Sequence, residues 1–242
     1  MRAEAETRSF RVLFSAEGRF SQALAMEALD LRPAETALVV IDLQKGVASM
    51  ETAPRPAKEV VANAARLTDA LRGRGGLVVL VRVAPSPDGK DMLKPVLDPG
   101  APTWTGARPP GWAEIVPELA GHPEDHLVTK KQWGAFYGTD LDLQLRRRGI
   151  STLLMCGIAT CFGVESTARD AYERGYQQVF VEDAMTSRSA EEHQHTVTRI
   201  FPRMGRVRST DQVLAALIAR QCDFLATGEK RSASLISASR GQ

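Results

Sequence analysis

The chain has 242 residues, of which 43% are hydrophobic and 25% are charged, so it is long and apolar enough for one full core. Its net charge of +2 is too balanced to indicate a nucleic-acid partner, and no apolar run approaches the roughly 20 residues that span a bilayer. Three cysteines at scattered spacing argue against a disulfide framework and favour a reducing compartment, so we expect a cytoplasmic protein without a membrane or nucleic-acid partner.

Apolar runs alternate with helical patterns along the chain, which is typical of a doubly wound parallel α/β sheet. The predicted strands are Thr36–Ile41, Leu77–Val83, His126–Thr129, Thr152–Cys156 and Gln178–Val181, with a weak sixth at Arg206–Arg208. The predicted helices cover residues 57–73, 139–148, 161–174, 190–200 and 211–220. We expect one domain over residues 31–220, an N-terminal peripheral arm over 1–30 and a C-terminal tail over 221–242.

Two stretches need a separate interpretation. Leu141, Leu143 and Leu145 alternate as in a strand, but a capping pattern precedes them and three arginines and a glycine follow, so we predict a helix there. Residues 84–125 are rich in proline and glycine. A long irregular stretch inside a compact domain is more often a lid or a pocket wall than a linker, and we predict one of these two here.

Chemistry-bearing residues follow three of the predicted strands. Asp42 comes directly after the first strand, Lys130 after the third, and a glycine-containing turn, 157–163, after the fourth. Taken alone, Asp42 is as well explained as the start of a loop. Because the carboxyl ends of parallel strands meet at one edge of a sheet, the three features together predict a shared crevice. An Asp–Lys ion pair there would hold a carboxyl group for proton transfer, beside helix amides that can receive an oxyanion.

Three stretches, ALVVIDLQKG, VTKKQWGAFYGTDLD and CGIATCFGVESTARDAYERGY, carry a resemblance to a known family. In order and spacing they are similar to the signature blocks of the isochorismatase-like hydrolase superfamily. The resemblance implies a three-layer αβα fold with a six-stranded, largely parallel sheet, and a homodimer or higher homo-oligomer. By motif position it makes Asp42 the catalytic acid and Lys130, rather than Lys131, its partner.

The same resemblance extends to the strand-to-helix junction. It implies a cis peptide bond between Ile158 and Ala159, and we expect these two residues, with Thr160 and Cys161, to bind the substrate at the start of the helix. Trp133 and Phe136 become pocket walls by resemblance, although aromatic residues at this spacing are equally often core residues.

The chain departs from most of the superfamily at Gly163, where amide-hydrolysing members carry a cysteine nucleophile. A glycine cannot form an acyl-enzyme. True isochorismatases also carry a small residue there and hydrolyse a vinyl ether through acid catalysis by an aspartate. We therefore expect a hydrolase of a small molecule that uses Asp42, Lys130 and the space at Gly163. The alternatives are a catalytically silent binding or scaffold protein, and an amidase that uses Cys161, whose side chain should point about 200° away from that of residue 163 on a regular helix.

Further binding residues follow from their places at strand ends. Arg82, at the end of the second strand, is a candidate ligand for a substrate carboxylate, and an ordinary surface arginine is the alternative. Gln44, two residues past Asp42, is a candidate for orienting a water molecule. No histidine occurs in residues 82–95, and His193 and His195 should be solvated on different helix faces. We therefore predict no metal and no cofactor.

Overall fold

The computed structural model, which describes residues 29–100 and 108–219, contains in these ranges one sheet of six parallel strands. The strands are β1 (Thr36–Ile41), β2 (Leu77–Val83), β3 (His126–Lys130), β4 (Thr152–Ile158), β5 (Gln177–Thr186) and β6 (Arg206–Arg208). Their order is β3-β2-β1-β4-β5-β6, with every neighbouring pair parallel. The predicted doubly wound α/β sheet is confirmed, whereas the arm over 1–30 and the tail over 221–242 fall outside the described residues, apart from residues 29 and 30.

Helices cover both faces of this sheet. They are α1 (Lys45–Ala48), α2 (Ala57–Arg72), α3 (Leu141–Arg147), α4 (Glu165–Glu173), α5 (Ala190–His195) and α6, which is helical over residues 210–219. The ambiguous leucine segment is thus helical, as its capping pattern predicts. None of the helices in the described part of the chain combines the length and the apolar character needed to span a bilayer.

Strand β1 lies at the centre of the sheet and feeds both halves of the core. Because side chains alternate along a strand, Leu38 and Val40 face the layer formed by α2 and α6, while Val39 and Ile41 face the layer formed by α3 and α4. All six residues of β1 are buried, which explains why the strand reads as a continuous apolar run.

Several elements differ from their predicted extent, among them β5 and the helix predicted at 190–200. Strand β5 continues past Val181 to Thr186. Its register with β4 shifts between the pairs Met155–Phe180 and Gly157–Met185, over a part of β5 that contains the charged residues Glu182 and Asp183. The predicted helix 190–200 is α5 followed by a π-helical turn, Thr196–Ile200. The spacing of apolar residues in the sequence does not indicate either the register shift or the π-helical turn.

The order of the strands creates one topological switch point, between β1 and β4. The chain leaves β1 toward β2 on one side, and β4 begins the other half of the sheet. In open α/β sheets the crevice outside the carboxyl ends at this point is the usual ligand site. Asp42 and the 157–163 junction lie there.

Candidate active site

The carboxyl group of Asp42 is fixed where β1 ends. Its backbone N–H donates to the Val81 carbonyl oxygen at 2.9 Å, which continues the β1–β2 ladder by one residue. Its φ of 54° lies in the left-handed region that non-glycine residues rarely occupy. Such backbone conformations cost on the order of 1–3 kcal/mol and persist where the surrounding structure enforces them. The unusual backbone conformation turns the chain sharply at the mouth of the crevice.

Lys130, the last residue of β3, reaches across the end of β2 to this carboxyl group. It is paired in register with Val83, and its Nζ lies 2.8 Å from Asp42 Oδ2. The ammonium also donates to the Trp133 carbonyl oxygen at 2.5 Å. Neighbouring strands lie about 4.8 Å apart, so only a long side chain can bridge two strand spacings. With 1% of its surface exposed, Lys130 is held as a buried cation.

Burial raises the pKa of Asp42 to about 6, although the neighbouring Lys130 ammonium opposes the shift. Asp42 has 7% of its surface exposed, and its Oδ1 accepts no hydrogen bond from the described residues. The Lys130 cation and a backbone hydrogen bond from Val83 only partly compensate the carboxylate for the loss of water. The pair therefore places an acid that titrates near neutral pH beside a fixed positive charge.

The strand-to-helix junction brings a second set of backbone atoms to Asp42. Gly157 has a φ of 120°, and a Cβ on it would lie 2.0 Å from the Ile41 carbonyl oxygen, so only glycine lets β4 approach β1 here. The Ile158–Ala159 peptide bond is cis, as the resemblance implies. A π-helical turn, Thr160–Val164, then leads into α4. Such turns occur frequently at functional sites.

Gly163 faces the ion pair directly. A Cβ on this residue would lie 3.2 Å from both Asp42 Oδ2 and Lys130 Nζ, and 2.9 Å from Ile41 Cγ2. Any side chain at this position would point between the acid and its cation. Gly163 therefore lets the junction approach the ion pair and Ile41 closely, and it supplies no side-chain nucleophile at this position.

A cavity of about 230 Å³ opens beside Asp42, Lys130 and Gly163, and we call it the catalytic cavity. Its other lining residues are Val83, Pro85, Met92, Leu93, Arg108, Lys131, Gln132, Trp133 and Phe162. The structure thus brings together the three predicted catalytic residues and one predicted binding residue, Trp133. The stretch 84–125, predicted as a lid or a pocket wall, supplies four of the lining residues from its described part, 84–100 and 108–125.

Phe162 takes the place predicted for Phe136. Its ring centroid lies 5.0 Å from that of Trp133, and the two rings form a tilted pair at the cavity. Phe136 instead is 4% exposed and stacks on Tyr176 in the core, with centroids 6.0 Å apart. Phe136 is thus a core residue, which was the alternative considered for it, and the prediction that it forms a pocket wall is wrong.

Gln44 and Arg82 do not line the cavity, because other partners use their side chains. Gln44 is fully buried, and its amide accepts from Val83 N at 2.8 Å and donates to the carbonyl oxygens of Val83 and Trp112. It therefore ties two chain segments together instead of orienting water. Arg82 donates from Nε to Thr129 Oγ1 at 3.0 Å. Its predicted role as a carboxylate ligand has no support in this geometry.

The residues between Ile158 and Cys161 also point away from the cavity. Ile158 is buried in the core on the α2 side, against which Ala159 packs, and Thr160 Oγ1 donates to the Thr186 carbonyl oxygen at 3.1 Å. Cys161 Sγ lies 3.1 Å from Ser187 Oγ, in agreement with the helical spacing argument. None of these four residues, which we expect to bind the substrate at the start of the helix, is among the residues that line the cavity.

The histidine prediction was wrong for His193. This residue is 2% exposed, and its Nδ1 lies 2.8 Å from Thr160 Oγ1, so it fills the space behind the junction. Burial, with a contribution from Arg55, lowers the pKa of His193 to about 4. His195 is exposed, as expected. Within residues 29–100 and 108–219, no group of three or more His, Cys, Asp or Glu side chains is arranged to hold a metal ion.

Eight lining residues of the cavity were not predicted from the sequence as binding residues, among them Lys131, Arg108 and Phe162. Lys131 was considered only as an alternative to Lys130, and its Nζ binds Asp91 Oδ2 at 2.8 Å and the Ala84 carbonyl oxygen at 2.6 Å. Phe162 lies between two residues of the junction motif, which was the available signal. Arg108 follows no periodic pattern that could have identified it.

Comparisons with known proteins show which family the chain is similar to. The family model described as "Isochorismatase domain" matches residues 36–212. The chain is 51% identical to the isochorismatase family protein YwoC of Bacillus subtilis (strain 168), over 78% of this chain and 97% of that protein. It is 47% identical to the isochorismatase family protein YecD of Escherichia coli O157:H7, over 78% and 100% of the two chains.

A solved structure gives the same result for the fold. An isochorismatase family protein from Burkholderia thailandensis superposes with a TM-score of 0.74 at 45% identity, covering 77% of this chain and 97% of that one. The matched residues include β1 with Asp42, β3 with Lys130, and the junction at Gly163. The chain therefore belongs to the isochorismatase family, whose members are generally hydrolases.

Proposed function

We propose that this protein hydrolyses a vinyl ether, or a similarly acid-labile bond, in a small anionic molecule, with Asp42 as general acid and without a covalent thiol intermediate. The observation that carries the proposal is the pairing of Asp42 with Lys130 beside Gly163, which supplies no side-chain nucleophile. An acid and its paired cation line the same cavity, and that lining contains no cysteine among the described residues.

The first step is proton transfer from Asp42. With a pKa of about 6, roughly a tenth of the enzyme carries a protonated Asp42 at pH 7. The proton adds to the terminal carbon of the vinyl ether double bond, and the positive charge that results is shared between the ether carbon and its oxygen. Water adds to that carbon and releases a proton, and the hemiketal collapses to a ketone and an alcohol.

Lys130 acts on the acid in both protonation states. Its ammonium, fixed by Asp42 Oδ2 and the Trp133 carbonyl oxygen, stabilises the carboxylate that remains after proton transfer. The burial of both groups strengthens this interaction relative to water. Without the cation, Asp42 would be an acid with a still higher pKa and a weaker driving force for proton donation.

The charge of the catalytic cavity supports an anionic substrate. Among its described lining residues, Lys130, Lys131 and Arg108 are cationic, whereas Asp42 is the acid. Lys131 shares its charge with Asp91, which lies outside the lining. The cavity is therefore better suited to carboxylate-bearing than to neutral molecules.

An amidase that uses Cys161 receives less support. The thiol contacts Ser187 and Glu192 away from the catalytic cavity, and burial raises its pKa. A thiol with a raised pKa is a poor nucleophile because the thiolate is the reactive form. A silent binding protein would keep the cavity without needing the raised pKa of Asp42, and the experiment below separates it from an enzyme.

The test is pyruvate release from isochorismate and from simple enolpyruvyl ethers, followed with lactate dehydrogenase. Asp42→Asn is expected to lower kcat at least about 100-fold, the usual contribution of a general acid. The matched control is Asp69→Asn, which removes an exposed carboxylate of α2. Because the acid must be protonated, kcat should fall about tenfold per pH unit above pH 6.

Two outcomes contradict the proposal. One is an Asp42→Asn variant that keeps the wild-type rate with the substrate that the wild-type enzyme turns over. The other is a wild-type enzyme that turns over no vinyl ether in the panel. The second outcome would favour the silent binding protein if the variant also folds normally.

A further inference from the structure

A second and larger cavity adjoins the catalytic one. It measures about 620 Å³ and is formed by two irregular segments, 84–92 and 108–113. We call it the outer cavity. Pro85, Met92 and Arg108 line both cavities, so these three residues form the boundary between them. A molecule with its reacting atoms at Asp42 has room to extend past this boundary.

Arg108 is held in place at the boundary by its surroundings. Its guanidinium lies 4.2 Å from the centroid of the Trp112 ring, a cation–π contact that fixes a planar cation against a wall. The Trp112 carbonyl oxygen accepts from Gly46 N at 2.9 Å and from Gln44 Nε2 at 3.3 Å. The wall that carries Arg108 is therefore bonded to the chain immediately after Asp42.

The two cavities differ in their lining, so they suit different parts of one ligand. The outer cavity is lined largely by proline, glycine, methionine and tryptophan, with Arg108 as its cationic side chain among the described residues. Burial lowers the pKa of Arg108, although a guanidinium stays protonated at neutral pH. A partly desolvated guanidinium forms stronger bonds to carboxylates than an exposed one does.

We propose that Arg108 determines specificity by binding a carboxylate of the substrate at the boundary, while an apolar, ring-sized part of the same molecule occupies the outer cavity. The proposal rests on the proposed function for the reacting group at Asp42. It gives the substrate class as an organic acid whose carboxylate lies between its acid-labile bond and its apolar part. Arg82, the arginine that the sequence favours, is excluded from this role by its bond to Thr129 outside both cavities.

The test measures binding, so it does not depend on turnover. Benzoate and its neutral isostere benzamide are titrated by calorimetry into the full-length wild-type protein and into Arg108→Gln, Arg108→Lys and Arg82→Gln. We expect wild type to prefer benzoate by at least about tenfold, equivalent to about 1.4 kcal/mol. Arg108→Gln should lose the preference, Arg108→Lys should keep part of it, and the matched control Arg82→Gln should keep all of it.

The outcomes are separable from those of the proposed function. Equal binding of the two probes to wild type, no benzoate binding at millimolar concentration, or loss of the preference in Arg82→Gln overturns the role of Arg108. Thermal unfolding of each variant shows whether a loss of binding reflects a loss of fold. Asp42→Asn should bind benzoate as wild type does or more tightly, because it removes a nearby negative charge. Failure of catalysis alone therefore leaves the Arg108 result interpretable.

Discussion

Ionised Asp42 should destabilise the fold, and the free energy involved follows from its pKa. The pKa rises from an ordinary 3.8 to about 6 on folding. Between these values the folded state binds more protons than the unfolded state, so the free energy of unfolding falls as the pH rises from about 4 to about 7. At 1.36 kcal/mol per pKa unit, the loss amounts to about 3 kcal/mol.

The experiment compares wild type with the double variant Asp42→Asn/Lys130→Met, which carries neither charge. Urea unfolding of both proteins is measured from pH 4 to pH 8. The difference between the two unfolding free energies contains only the contribution of Asp42, because the contribution of His193 is the same in both proteins and cancels. The lowered pKa of His193 makes the free energy of unfolding fall on acidification, which is opposite to the effect of Asp42. We expect the wild-type-minus-variant difference to fall by about 3 kcal/mol across this range.

Two further variants locate the origin of the effect. Lys130→Met alone leaves a buried carboxylate without its cation and should lower the free energy of unfolding at pH 7 by about 3–5 kcal/mol, with partial recovery on acidification. The control is Lys45→Met/Glu114→Gln, which removes an exposed ion pair and should change little. A wild-type-minus-variant difference that is flat or that rises between pH 4 and pH 7 would refute the argument.

Three more substitutions test the surroundings of the pair. Gly163→Ala should lower the free energy of unfolding, measured with urea, by about 1–3 kcal/mol, because the new Cβ meets Ile41 Cγ2 at 2.9 Å. The same variant should release pyruvate more slowly in the coupled assay. Asp91→Asn removes the carboxylate that holds Lys131 near the cavity and should raise KM several-fold with little change in kcat, in steady-state assays. Cys161→Ser should leave kcat unchanged, and iodoacetamide should label the wild-type thiol slowly at pH 7 because its pKa is raised. A large loss of kcat in Cys161→Ser would restore the thiol mechanism.

The sequence was sufficient for the centre of the site because regular structure places it. Asp42 and Lys130 each end a strand of a parallel sheet, and parallel strands deliver their carboxyl ends to one edge. Their side chains have to meet once the strand order is known. Gly163 was identified by its place in a motif, and the resulting steric argument needs only the backbone of the junction.

The periphery of the site depends on contacts between irregular segments, which local patterns do not encode. Arg108 reaches the cavity because Gln44, far away in sequence, bonds to the backbone at Trp112. Trp133 and Phe136 belong to the same aromatic block, yet a turn sends one side chain to the cavity and the other to the core. His193 has a polar sequence neighbourhood, but its helix packs against the junction and buries it. Tertiary packing decided each of these positions.

The buried amide of Gln44 fixes both ends of the pocket wall independently of the residues between them. Its hydrogen bonds fasten both the end of β2 at Val83 and the return of the chain at Trp112. The backbone N–H of Ala84 adds a bond to the Lys130 carbonyl oxygen. The segment between these anchors can therefore change in length and composition while Asp42 and Lys130 keep their positions. New substrate preferences can arise by replacement of this one stretch of chain, without alteration of the acid that performs the chemistry.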